Sequence, residues 1–565
     1  LGAWARAVGQ ARVLRDGEAS DAGGATPRRS CAQMAEPSWM RRRELQKRRD
    51  EEAKAEKARK MGTGGADGAA SRAYSVGSGA ESLRIGYFVA LTTYLGYAVL
   101  VAFGHLRDFF GRITGSSRYF GKNKKPRRGY SPLLKDWENF YTRRLYHRIQ
   151  DCWNRPYFGP PAAQCTRVLE RASSDGNYSL QQTGAQRECV NLGSYNYLGF
   201  ADDWNETCRE DVMASLDAYP PSMCASRYDA GTSAMHRELE ELVARFVGKP
   251  AAICFNMGYG TNAGAIPALA GKGTLLISDA LNHTSLVNGA RASGASVKVF
   301  KHNDEKALEK IIRAAIADGQ PRTHKPWRKI VVMVEGIYSM EGEVCPLPKI
   351  LEVAHRYKAY VYLDEAHSIG ALGPTGRGVC DHWGVDPSEV DILMGTFTKS
   401  FGAMGGYIAG SPEFIAQMRA NAGASIYGTT MSPVVVAQTL RAFRVIMGED
   451  GTTHGQEKIL ALRDNCNYFR EGLKKLGCEV LGDVDSPVCC VLLYNPTKIA
   501  AFSRECFKRG LAVVVVGFPA TPLITSRARF CVSAGHRRED LDRALEKVNE
   551  VCDVLKLKYH TSITG

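Results

Sequence analysis

Between residues 251 and 394 the chain repeats one pattern, and that pattern restricts the fold more than any other feature. Short apolar runs alternate with amphipathic stretches of helical period. The runs are 251–255, 275–279, 297–300, 330–334, 360–363 and 392–394. Before the first run lies 236–246, and between later runs lie 306–317 and 349–357, whose apolar residues recur at three- and four-residue spacing. Strands apolar throughout and separated by helices predict a mainly parallel sheet covered on both faces. In such sheets the chemistry gathers beyond the carboxyl ends of the strands. From about 425 the pattern loosens into helices with a second strand set around 489–494 and 513–516. A smaller C-terminal α+β domain is therefore expected. The predicted division is a disordered basic tail at 1–80, a membrane-associated segment at 81–112 and a connecting region at 113–180. A large cofactor-binding domain at 181–425 and a small domain at 426–565 complete it.

Residues 1–80 are rich in Ala, Gly, Arg and Glu and poor in bulky apolar residues, which predicts disorder. Within them 41–60 alternates charges at helical spacing, and Met34 is the expected translation start. The tail carries 16 Lys/Arg against 10 Asp/Glu, so 6 of the net +15 charges lie there. The remainder is spread without aromatic interleaving, which argues against a nucleic-acid stripe. The 16 cysteines show no C-x-x-C or Cys/His spacing that would hold zinc, so no metal site is expected. So many scattered thiols favour a reducing compartment. Cys489-Cys490 lies in an apolar run and reads as core.

Ile85 to Gly104 is uncharged, flanked by Arg84 and by His105 and Arg107. Its 20 residues suffice for a bilayer span, and a helix lying in the interface fits equally. Its distance from the N-terminus argues against a secretory signal. The basic cluster from Lys122 to Arg128 favours a body facing the cytosol.

Three elements carry chemistry. In Tyr362-Leu363-Asp364-Glu365-Ala366-His367 a buried strand runs into an acid and an imidazole. A carboxylate there can pair with a pyridinium nitrogen, as an electron sink requires. The same letters occur in helicases, but that reading needs an upstream G-x-x-x-x-G-K-[ST] loop, which Gly271-Lys272-Gly273-Thr274 does not supply. The second element is Lys399, in Gly-Thr-Phe-Thr-Lys-Ser-Phe-Gly at 395–402, where an apolar strand gives way to hydroxyls and glycines. Such surroundings desolvate an amine and let it form an imine. Thr396, Thr398 and Ser400 offer donors for a phosphate. The third is the turn from Asn256 to Asn262, whose backbone amides suit an anion. Downstream, His283 closes another strand and is placed to stack on a flat ring.

Together these residues resemble the α-oxoamine synthases, a family of fold-type I pyridoxal-phosphate transferases. Within it the chain is most similar to the catalytic long-chain-base subunits of eukaryotic serine palmitoyltransferases. The likeness covers roughly 85–560 and rests on 395–402 with Gly405-Gly406-Tyr407, 335–342 and 364–378. It rests also on Trp153-Asn-Arg-Pro156, Asn191–Phe200 (NLGSYNYLGF) and Val513–Pro522 (VVVVGFPATP). The resemblance implies pyridoxal 5'-phosphate held on Lys399, Asp364 on the pyridine nitrogen, His367 on the ring oxygen and His283 stacked on the ring. It implies a phosphate site from Gly258, Tyr259, Thr396 and Thr398, with Thr429 or Thr430 reaching across a subunit interface. Arg529, with Arg527 second, is the expected carboxylate ligand of the substrate, and Tyr195 and Asn196 are expected to line the substrate site. The implied reaction joins L-serine to a long-chain acyl-CoA with loss of carbon dioxide, at the endoplasmic reticulum membrane, beside a non-catalytic homologous subunit. Two alternatives are a related synthase using glycine or alanine and a non-catalytic scaffold; the apolar segment and Lys399 argue against them. The chain departs from relatives at Tyr219–Arg227, where Pro220-Pro221 replaces a glycine-rich turn.

Overall fold

The computed structural model describes residues 87–114, 129–131, 140 and 142–559. The expectations for 1–80, the proposed start at Met34 and the 122–128 cluster lie outside the described residues.

The alternating apolar runs form a seven-stranded sheet. After a hairpin of β1 (Thr166–Ala172) and β2 (Gln181–Asn191) come β3 (Ala251–Phe255), β4 (Thr274–Asp279) and β5 (Ser296–Phe300). β6 (Lys329–Glu335), β7 (Tyr360–Asp364), β8 (Ile392–Thr396) and β9 (Gly406–Gly410) follow. The spatial order is β3-β9-β8-β7-β6-β4-β5, and the pairs from β8 through β5 are parallel. β9 was not among the expected runs. Its sequence, Gly-Tyr-Ile-Ala-Gly, is too rich in glycine to read as a strand, yet it pairs antiparallel with both β3 and β8. Crowding accounts for the glycine. A Cβ on Gly406 would come within 2.6 Å of the Gly395 carbonyl and 2.9 Å of Thr261 Oγ1.

The connecting helices fall where the periodicity places them, at Ala234–Val247, Glu305–Asp318 and Leu347–Arg356. Asp304 caps the second by accepting from the Ala307 amide, and the first ends at Gly248 with φ +70°. One core lies against the sheet around Ile253, Phe255, Leu276, Val331, Met333, Tyr362 and Ile408.

The C-terminal part builds a second, four-stranded antiparallel sheet. β10 (Val480–Leu481), β11 (Val488–Leu492), β13 (Val514–Val516) and β14 (Arg527–Cys531) stand in the order β10-β11-β14-β13. The two-residue β12 (Leu511–Ala512) instead pairs parallel with β2. The core beneath this sheet takes in Phe469, Cys489, Val491, Phe530 and Val548, and also Cys152, Val190 and Leu192 from the N-terminal side. The stretch read as a connector thus shares the C-terminal core. Cys489 and Cys490 are both fully buried, as expected.

The apolar stretch expected at 85–104 is helical over Tyr87–Thr114, so the helix runs on through His105, Arg107 and Asp108. Charge does not end it because Asp108 faces the body and meets Arg144 at 2.5 Å, with both side chains 6% exposed. Thr93, Gly104 and Gly111 are buried on the same side, and a Cβ on Gly104 would strike the Phe140 ring at 2.9 Å. Tyr87, Phe88, Leu95, Phe103 and Ile113 project away from the body.

Candidate active site

The carboxyl ends of β3, β4, β6, β7 and β8 deliver Gly258, His283, Glu335, Asp364 and Lys399 to one edge of the sheet. Asp364 is the last residue of β7 and is buried. Its Oδ2 accepts from Asn262 Nδ2 at 2.7 Å and its Oδ1 from the Ala366 amide at 2.9 Å. Asn262 is itself fixed, because its Oδ1 accepts from Tyr362 OH at 2.7 Å and its amide also reaches Ser285 Oγ at 2.9 Å. A carboxylate with both oxygens aimed in this way is ready to hold a cation in a set direction.

Lys399 follows β8 and is half-buried. Burial lowers its pKa to about 8, against the opposing pull of Asp364 and Glu335. The free amine that imine formation needs is therefore far more populated near neutral pH than for an ordinary lysine. Its Nζ sits 5.6 Å from the centre of the Tyr195 ring. On the same ring lies the Arg529 guanidinium, 4.9 Å from the centre. Arg529 donates to Tyr195 OH and, at 3.3 Å, to the Ser339 carbonyl, while its buried Nε has no partner among the described residues. A planar cation with an unspent donor suits a carboxylate.

Both histidines are held neutral. His367 shares a 2.8 Å hydrogen bond between Nδ1 and Tyr197 OH, and burial, then Lys399 and Arg529, push it well below the usual imidazole range. His283 caps the helix Thr284–Ser293, its Nδ1 accepting from the Ser285 amide at 3.2 Å. Burial lowers its pKa as well. Its backbone amide donates to Glu335, a carboxyl that burial and neighbouring Asp364 push well above the usual range.

A tight turn forms the remaining wall. The helix Gly258–Leu269 starts against the end of β8, where a Cβ on Gly258 would lie 2.6 Å from Thr396 Oγ1. Only glycine permits that approach. First-turn amides and hydroxyls together make an anion cradle. Thr396 is buried, donating to the Gly405 carbonyl at 2.8 Å, whereas Thr398 is exposed beside it at 3.0 Å. Tyr259 is partly exposed and its hydroxyl accepts from Asn288 at 2.5 Å.

Other expected residues are differently placed. Arg527 is spent on a buried ion pair with Glu341 at 3.0 Å and on the Met340 carbonyl at 2.8 Å. Asn196 bonds Asp202 at 2.7 Å and serves its own loop. Thr430 is buried, its amide donating to the Ala225 carbonyl at 3.1 Å, while Thr429 is exposed and bridges to Ser226. In the 219–227 loop the left-handed conformation falls to Cys224, with φ +54°. Asn262, Tyr197 and Glu335 were not singled out from sequence as site residues. Tyr197 stands in the NLGSYNYLGF motif and Asn262 closes the glycine turn, but neither has a local pattern that announces a buried partner.

The class I and II aminotransferase family model matches residues 187–548. A rice protein named long chain base biosynthesis protein 2a is 57% identical over 84% of this chain and 96% of its own length. The chain belongs to the serine palmitoyltransferase subunit 2 family of fold-type I pyridoxal-phosphate enzymes. A serine palmitoyltransferase 2 of Dictyostelium discoideum is 50% identical over 84% of this chain and 96% of its own. A solved structure of SPT with PLP superposes with a TM-score of 0.66 at 28% identity, covering 76% of this chain and 100% of that one. Pyridoxal phosphate is accordingly the cofactor of this serine palmitoyltransferase subunit 2 homologue, and its residues fit the group. A buried, doubly oriented carboxylate, a depressed lysine and a cradle that admits no Cβ are the three features such a molecule requires.

Proposed function

We propose that the chain catalyses the decarboxylating condensation of L-serine with a long-chain acyl-CoA such as palmitoyl-CoA, giving 3-ketodihydrosphingosine, coenzyme A and carbon dioxide. The observation that carries this reading is Lys399 and Arg529 both lying against the ring of Tyr195. An amine that moves a proton thus lies beside a guanidinium that fixes a carboxylate. When bound, pyridoxal phosphate supplies the electron sink that makes the α-proton of an amino acid acidic.

The chain's own residues do the rest. Asp364 holds a positive charge at the far end of the site, kept in register by Asn262. Neutral His283 offers a flat face, and His367 with Tyr197 offers a hydrogen bond at the ring edge. Arg529 fixes the serine carboxylate through its guanidinium, which is oriented by Tyr195 and the Ser339 carbonyl. Lys399 Nζ takes the α-proton. Gly258, Tyr259, Thr396 and Thr398 bind the phosphate, and exposed Thr429 is available to a neighbouring subunit there.

The long-chain reading is supported by the helix Tyr87–Gly111, which is long and apolar enough to cross a membrane, with mean hydropathy 1.6. We place it at the endoplasmic reticulum membrane with the catalytic body toward the cytosol, paired with a non-catalytic homologous subunit. The large body at 181–425 then carries most of the cofactor contacts and the part at 426–565 the substrate carboxylate.

The test is visible absorption of the complex before and after adding serine, glycine or alanine, followed by product mass spectrometry with an acyl-CoA series. Serine is expected to perturb the cofactor band most strongly. A preferential response to glycine or alanine would move the chain to another synthase. Turnover that survives in Lys399→Ala would overturn the assignment.

A further inference from the structure

Beyond β5 the chain turns at Lys301–Asp304 and sets His302 between two carboxylates, one at the end of β4 and one in the turn that follows β6. His302 Nδ1 lies 2.8 Å from Asp279 Oδ1, and Nε2 lies 3.0 Å from Glu343 Oε2. Its ring stands edge-on to Tyr338, with centroids 4.3 Å apart. Only a doubly protonated imidazole donates to both acceptors. Burial opposes that charge, but the hydrogen bonds to Asp279 and Glu343 outweigh it and push the group up to about 10.

Each carboxylate is the anchor of a segment that ends in the active site. Asp279 terminates β4 with a fully buried side chain. It accepts from the Leu281 amide at 2.9 Å and the Asn303 amide at 3.0 Å, which fixes the approach to His283. Glu343 closes the turn begun at Tyr338, whose amide donates to the Glu343 carbonyl at 3.0 Å. That turn presents the Ser339 carbonyl to Arg529 and the Met340 carbonyl and Glu341 carboxylate to Arg527. Asp483, accepting from the Val344 amide at 2.7 Å, holds its outer side.

We infer that Asp279, His302 and Glu343 form a positioning clamp that sets the separation of His283 from Arg529, and thereby governs binding of the amino acid but not of the acyl-CoA. The inference rests on the functional reading above, which assigns His283 to the cofactor ring and Arg529 to the substrate carboxylate. A network that merely stabilised the fold would lower the melting temperature and leave the ratio of the two KM values alone.

The experiment uses the holoenzyme complex with His302→Gln, Glu343→Gln and the double variant, measuring kcat and both KM values. His302→Gln is expected to raise KM for L-serine about tenfold and Glu343→Gln about threefold, with the KM for acyl-CoA within about twofold of wild type. The double variant is expected to be no worse than His302→Gln, because the two act as one unit. An unchanged serine KM, or two KM values that rise in step, would overturn the clamp. Should His302→Gln fail to fold, Glu343→Ala decides alone, since the Glu343 side chain is 33% exposed and its loss leaves the Asp279–His302 pair in place. Wild type run alongside separates the two readings, because a wild type inactive with serine overturns the functional reading itself.

Discussion

The two sheets deliver cations to the same site by different means. In the seven-stranded sheet Lys399 lies beyond a strand, on a turn whose backbone is set by Gly258, Thr396 and Gly405. In the four-stranded sheet Arg527 and Arg529 lie within β14, two residues apart and so on one face. Placement beyond a strand leaves the side chain's surroundings to loops, which tune its proton affinity. Placement within a strand fixes direction, and a partner from elsewhere decides which of two equivalent residues stays free. Here Glu341 takes Arg527, and Arg529 keeps an unspent Nε.

The largest effect that would break this comparison falls on the loop-borne cation. Lys399→Ala is expected to lower turnover by more than about a thousandfold and to change the bound-cofactor absorption, measured on the purified complex. Asp364→Asn, which keeps the shape but removes the charge, is expected to cost about a hundredfold in kcat. Retention of wild-type kcat in that variant would show that the carboxylate is not the cation's partner.

The strand-borne pair separates by readout. Arg529→Lys is expected to raise the KM for serine about tenfold, because an ammonium cannot present the planar fork. Arg527→Met instead leaves Glu341 buried without its cation, which is expected to cost about 3 kcal/mol of stability in denaturant titration. If both substitutions acted on serine KM alone, the division of labour would be wrong.

Much of this was legible in the sequence, and the reasons are physical. Five of the six apolar runs became the strands β3, β4, β6, β7 and β8, which are covered on both faces and so leave a continuous signal, while the sixth became the half-exposed edge strand β5. Asp364, His367 and Lys399 were legible because each breaks such a run at its carboxyl end. β9 was not, since the crowding that demands glycine erases the propensity that marks a strand. Arg527 and Arg529 could only be ranked from sequence, because what distinguishes them is an ion pair of Arg527 with Glu341, 186 residues away in sequence. Asn262, Tyr197 and Glu335 act through contacts between separate elements, for which a single chain carries no local period. The charged residues after Gly104 marked only the flank of the apolar stretch, and a buried partner at Arg144 made Asp108 part of the helix's inner face.

The smallest effect sharpens the account of Lys399. Its folded pKa of about 8 lies below the ordinary 10.5, so between these values the unfolded chain binds a proton that the folded chain does not. Stability of the cofactor-free protein is therefore expected to rise with pH across that window, the penalty being fully present below about 8. The slope is expected to flatten in Lys399→Met, read as the difference between the two proteins in chemical denaturation at each pH.

The long N-terminal helix rests on the short turn Leu523–Thr525 and, through Tyr97, on Ser526. The next residue opens β14, so the arginine shelf begins where the helix's footing ends. A tilt of that helix would be felt at β14 through the short turn, and shared with the helix Pro496–Lys508 and the segment Thr142–Tyr146 on which it also packs. The helix and the strand that carries Arg529 are thus mechanically coupled.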